Sequence, residues 1–228
     1  MTGVLITVNG SAEEFHQPQR ATVTVRVGFE GAGKDAVRQR TVDLAEHFAM
    51  DIKKLHNPQG GPVTWYSQAA ITTWTEKPWN QDGKQLPPVF HAAILFQVKF
   101  ADFTVLSGWA DHWASVEGVS LSGVEWTLTD GFKREVTDRV RTNAVRAARE
   151  KAQAYADSLD LGPVTATQLA DIGMLGEQRH GNPGAVATAG YSARASKAES
   201  SSPAAIVPQD VQIKATVDAQ FITNGHAG

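Results

Sequence analysis

The chain has 228 residues, 42% of them apolar and 20% charged, with a net charge of −3 and no cysteine. That apolar content suits a folded soluble protein, the near-neutral balance gives no hold on nucleic acid or an anionic surface, and the lack of thiols excludes disulfides, thiolate metal sites and cysteine nucleophiles together. No stretch approaches the roughly 18 apolar residues of a membrane span.

The opening MTGVLITVNG has neither the basic start nor the apolar core of a secretory leader. As written it implies a cytoplasmic protein, or one of the periplasm or cell envelope if a leader has been removed. Val4 to Val8 is a short apolar run, with Asn9-Gly10 expected to end it in a turn. Thr22 to Phe29 alternates as a half-buried strand, Val23, Val25, Val27 and Phe29 facing one way and Thr24 and Arg26 the other. After Gly31-Ala32-Gly33 a helix is predicted from Lys34 to Leu55, with Val37, Leu44, Phe48, Ile52 and Leu55 as its apolar stripe.

Val63 to Thr75, with Trp65, Tyr66, Ile71 and Trp74, reads as one strand, and EKPWNQDGKQLPP as a polar hairpin loop. Val89 to Phe100 alternates most strictly: Phe90, Ala92, Ile94, Phe96, Val98 and Phe100 on one face, His91, Ala93, Leu95, Gln97 and Lys99 on the other. A helix over about Asp102–Val116 presents Phe103, Leu106, Ala110 and Trp113, and a strand follows over Val119–Leu128 with a bulge expected near Gly123.

Asp130 to Leu161 is the organising stretch. Val136, Val140, Ala144, Ala148, Ala152, Tyr155 and Leu159 recur every three or four residues, a mostly alanine face on which a sheet can lie close. Asp130 is placed to accept from first-turn amides, and Gly162-Pro163 to stop the helix. A weaker strand is predicted over Val164–Ile172. Gly173 to Val207 is Gly/Ala/Ser-rich and aperiodic, and reads as a long mobile loop. Asp210 to Ile222 alternates again, closing the chain as a strand.

The element order predicts an α+β fold in one domain over 1–228. A split β-α-β (ferredoxin-like) block over 22–128 has two helices covering one face of a four-stranded antiparallel sheet. Residues 1–21 with 129–228 then supply a second antiparallel sheet packed on the long helix.

Three stretches carry a resemblance. ITVNGSAEEFHQPQRATVTVRV is similar to the opening of the SIMPL-domain family, which includes bacterial periplasmic immunogenic proteins. VSLSGVEWTLTD running into VRTNAVRAAREKAQAYADSLDLG is similar to that family's strand-into-alanine-helix signature, and VPQDVQIKATVDAQF resembles its closing strand. Asn9 and Gln19 stand where the family usually has Thr and Asp. The resemblance implies an α+β fold, no known enzymatic chemistry, and in some members ring- or channel-like oligomers in the cell envelope.

Residue chemistry agrees with a non-enzymatic reading. Gly28–Lys34 fits G-x-x-x-x-G-K, but Asp35 stands where a phosphate loop needs Ser or Thr, so a glycine turn before a helix is the better reading. None of the seven histidines pairs at i, i+4 or falls into a metal spacing, so neither a metal nor a cofactor is expected. Asp111-His112 are neighbours on a helix and point apart, Ser107-Gly108 and Ser122-Gly123 lack a nucleophile elbow, and Asn9-Gly10-Ser11 is a glycosylation sequon in a short turn.

Trp79 beside Pro78 has no periodic reason to be buried, and with Tyr191 in the long loop these are the interface candidates. The function expected is self-association into a homo-oligomer, or binding of a protein partner, envelope- or stress-related. The edges of the first and last strands are candidate contacts too. The alternative is a small-molecule binding protein or unrecognised enzyme with a cleft between the sheet layer and the long helix.

Overall fold

The computed structural model describes residues 3–175 and 206–223. Its elements in chain order are β1 (Leu5–His16), β2 (Arg20–Gly31), α1 (Lys34–Leu55), β3 (Val63–Gln68), β4 (Thr72–Glu76), β5 (Val89–Phe100), α2 (Phe103–Ala114), β6 (Val119–Thr127), α3 (Asp130–Asp157), β7 (Val164–Asp171) and β8 (Val211–Thr223). The α+β class expected from the sequence is the class observed. Among the described residues there are two compact units: an inserted one, 18–128 with 206–209, and a flanking one joining 3–17, 129–175 and 210–223.

In the inserted unit the sheet order is β3-β5-β2-β6, with β4 also on β5, and every neighbouring pair is antiparallel. The strict alternation of β2 and β5 puts Val23, Val25, Val27, Phe96, Val98 and Phe100 on one face, where Phe48 and Ile52 of α1 and Leu106 and Trp113 of α2 bury them. Asp102 caps α2, its carboxylate accepting from the Thr104 and Val105 amides at 2.9 and 3.0 Å.

The sheet has five strands, because the expected single strand Val63–Thr75 is broken. Between the pairs Gln68↔Phe96 and Thr72↔Ala93 this segment advances four residues (72 − 68) while β5 advances three (96 − 93). The surplus residue ends one strand and starts the next, and Ile71 packs against the core at the break. On the opposite edge, Val23 pairs Val124 and Thr24 pairs Ser122, so Gly123 (φ +54°) is the bulge the sequence suggested.

The flanking unit has the sheet order β1-β8-β7, with α3 on one face. Its first strand runs unbroken for 12 residues through Asn9-Gly10, where a turn was expected. Gly10 is there for clearance. A Cβ on it would stand 2.7 Å from the Ala148 Cβ and collide with the Ala144 carbonyl and Ala148 amide of α3. Glycine on the strand and alanine on the helix together bring two backbones into contact. The last strand, expected at an edge, is the central one, so the edges of this sheet are β1 and β7.

Along α3 the buried residues are Val136, Val140, Ala144, Ala148, Ala152 and Ala156. A step of four turns the face by about 40° each time, so the stripe winds around the helix as the twisted sheet requires. Tyr155 and Leu159, expected on this stripe, are instead 50% and 64% exposed. The first falls one position out of phase and the second lies past the helix end. The helix also stops before Gly162. Leu161 N–H donates to the Ala156 carbonyl (2.9 Å) and Asp160 N–H to that of Asp157 (3.1 Å), with Asp160 at φ +53°. This is a Schellman ending with aspartate in the left-handed position usually held by glycine. The expectation for Gly173–Val207 lies, over 176–205, outside the described residues.

Candidate functional site

Trp79 stands in the β4–β5 connection, on a backbone held by its own hydrogen bonds. Leu86 N–H donates to the Pro78 carbonyl at 2.8 Å and Asn80 N–H to that of Lys84 at 2.9 Å. The Asn80 Oδ1 accepts from the Asp82 and Lys84 amides at 3.1 and 2.7 Å, and Gly83 turns the chain at φ +73°. On this small frame Trp79 bridges to Gln85, and its side chain is 66% exposed. Tyr191 lies outside the described residues.

The helix-free face of the same sheet holds the second feature. Register sets Trp74 of β4 and Glu30 of β2 on either side of His91 of β5. The Trp74 and His91 rings stack with centroids 4.8 Å apart and planes 5° from parallel. The His91 Nδ1 is 3.2 Å from a Glu30 carboxylate oxygen, and its Nε2 3.7 Å from one of Glu76. The imidazole is only 10% exposed, and Nε2 is buried without a hydrogen-bond partner. Glu76 meanwhile accepts from the Trp74 indole N–H at 3.2 Å, and the Arg26 guanidinium lies 5.2 Å from the Trp74 ring centroid.

Beside His91 a cavity of about 320 Å³ is lined by Arg26, Gly28, Glu30, Glu117 and Ser120. At Gly28 the two strands lie too close for a side chain, since a Cβ there would strike the Ala92 carbonyl. Arg40 crosses its rim, 3.9 Å over the Phe29 ring and 2.8 Å from Glu117. Of the two glycines that matched a phosphate-loop pattern, Gly28 is a strand residue paired with Ala93, its amide donating to the Gly118 carbonyl at 2.8 Å, and Gly33 is the N-cap of α1, its carbonyl accepting from the Val37 amide at 3.0 Å. Among the described residues no three His, Asp or Glu side chains converge as a metal site. Asp111 and His112 are both exposed on α2, and no hydrogen bond joins their side chains.

A third group ties β1 to α3. Glu14 takes two contacts from Arg139, at 3.0 Å from Nε and 2.7 Å from Nη2, and a third from His16 Nε2 at 3.0 Å. The Arg139 hydrogen bonds, and then that of His16, hold the Glu14 carboxyl down to about 2. His16 rests edge-on against Phe132, rings 5.1 Å apart. This bidentate clamp ties β1 to α3.

Sequence reasoning placed Trp79 in a loop and His91 on the outward side of its strand, yet did not bring His91 to Trp74 and Glu30. The available signal was the hairpin: counting back from Val89 through the β4–β5 connection sets Trp74 opposite His91. Glu14 and Arg139, 125 residues apart, had no local signal at all.

No curated protein matches the sequence. A family model does, that of SIMPL, protein of unknown function (DUF541), over residues 6–221 of the 228. With that match covering nearly the whole chain, this chain belongs to the SIMPL family.

Proposed function

We propose that this SIMPL protein does no chemistry of its own and works by association, with further copies of itself in a ring- or channel-like oligomer or with a protein partner. The observation that carries the reading is Trp79, an indole 66% exposed on a hydrogen-bonded hairpin frame. A large aromatic held out to water on an ordered backbone loses little entropy when covered, which is the character of an interface anchor. Strand edges supply a second kind of contact. β1 pairs only with β8 among the described strands, and Leu5 and Phe15 on it are 56% and 58% exposed. Chain-to-chain pairing at such an edge satisfies amides that otherwise need water.

Sedimentation velocity at tens of micromolar tests the proposal. Species larger than the 24.5 kDa chain are expected, weakened about tenfold or more in Trp79→Ser if the indole is a central anchor. A strict monomer, with no protein retained by the immobilised chain, overturns it.

A further inference from the structure

We infer that His91 is a proton-operated clasp across three strands, closing onto Glu30 of β2 and Glu76 of β4 when its ring is charged. A neutral imidazole donates from one nitrogen only, whereas the imidazolium donates from both. Here each nitrogen faces a different carboxylate, Nδ1 at 3.2 Å and Nε2 at 3.7 Å. One of the two must therefore lack a donor while the ring is neutral. The orphaned atom is visible: Nε2 is buried and makes no hydrogen bond. A shift of about half an ångström by the Glu76 carboxylate, 62% exposed and accepting from the Trp74 indole through its other oxygen, would bring it within bonding distance of a protonated Nε2.

The surrounding charges come from every strand in reach. β2 supplies Glu30 and the opposing Arg26, and β4 supplies Glu76. β6 adds only the hydroxyl of Ser120, while Arg40 and Glu117 at the cavity rim neutralise each other at 2.8 Å. Two carboxylates thus face the ring nitrogens, and one cation is held against Trp74, whose face stacks on the His91 ring.

The strand with most to gain is β4. It has 5 residues and among the described strands pairs with β5 alone, and it begins the arm that carries Trp79. Closing the clasp adds a charged tie to the short ladder and the Trp74–His91 stack that already hold it. The inference does not depend on association and is read on the chain as it stands.

Hydrogen exchange at about pH 5.5 and pH 7.5, spanning the range in which histidine changes charge, tests it. After correction for intrinsic rates, the Thr72–Glu76 amides should exchange about two- to fivefold more slowly at the lower pH, the size expected of a partly exposed ion pair. That difference should vanish in His91→Gln. In Glu76→Gln it should shrink while the His91 ring proton still titrates by NMR, which separates the clasp from any general effect of pH. Equal protection at the two pH values in the wild type, or a pH difference that survives in His91→Gln, overturns the inference. Should His91→Gln fail to fold, the exposed Glu30→Gln and Glu76→Gln variants decide: pH-dependent protection unchanged in both sinks the clasp.

Discussion

Glu14 couples pH to folding through a carboxylate that its partners keep ionised. Its folded value of about 2 lies below the ordinary 4.5, because ionised Glu14 accepts from Arg139 and His16. A depressed carboxyl stabilises the fold above pH 4.5, and that stabilisation drains away as pH falls toward 2. Glu14→Gln should therefore flatten the acid limb of a stability–pH curve between those values and leave the slope near neutrality unchanged. Chemical denaturation at a series of pH values checks this, and an acid limb identical to wild type would refute it. Residue-scale features of this kind were the least legible in the sequence. Trp79 announced itself, because a polar, proline-containing loop gave it no periodic partner. The Trp74–His91 stack needs the register of the β4–β5 hairpin to be counted out, and the Glu14–Arg139 clamp arises from helix docking, which no window of neighbouring residues encodes.

Among the elements, β1 and α3 show how a local rule misleads when packing overrides it. Asn-Gly is a turn signal because both residues tolerate positive φ, yet Gly10 is extended and central to a strand. What it supplies is the absence of a side chain opposite Ala144 and Ala148. Gly10→Val should destabilise the fold by about 3 kcal/mol or more, the upper end for overpacking, since the clash is with helix backbone that cannot turn aside. A urea midpoint within error of wild type would show that helix and strand are not in this contact. Periodicity did reveal where α1, β5 and β8 run, because each buries one regular face along its whole length. It failed over Val63–Glu76, where one surplus residue splits a strand without changing composition. It failed again at Tyr155, because a winding stripe of small residues resembles a straight one until the helix is laid on a twisted sheet.

For the whole molecule, each unit has a core of its own, and the units differ in how the chain builds them. The inserted unit is nearly continuous, residues 18–128 with a short return near Ile206, and its βαβββαβ order builds a five-stranded sheet of its own. A fragment of residues 18–128 should fold alone, with dispersed amide NMR signals and a cooperative thermal transition. A collapsed spectrum without dispersion would mean that this core needs the rest of the chain. The flanking unit has no such independence, since its sheet joins Leu5 to Ile222 and His16 to Val211.

That pairing has a consequence for biosynthesis. The central strand of the flanking sheet is made long after β1, with His16 and its partner Val211 lying 195 positions apart (211 − 16), and among the described strands β1 has no other neighbour to bond. At about 5–20 residues per second, β1 waits roughly ten seconds or longer with its ladder groups open to solvent and to other nascent chains. The alanine rod of α3 is finished in that interval but has half a surface to rest on. Arrival of β8 therefore completes two seams at once, and any lesion that delays or removes it leaves β1 an orphan ribbon and the alanine face of α3 short of its central strand.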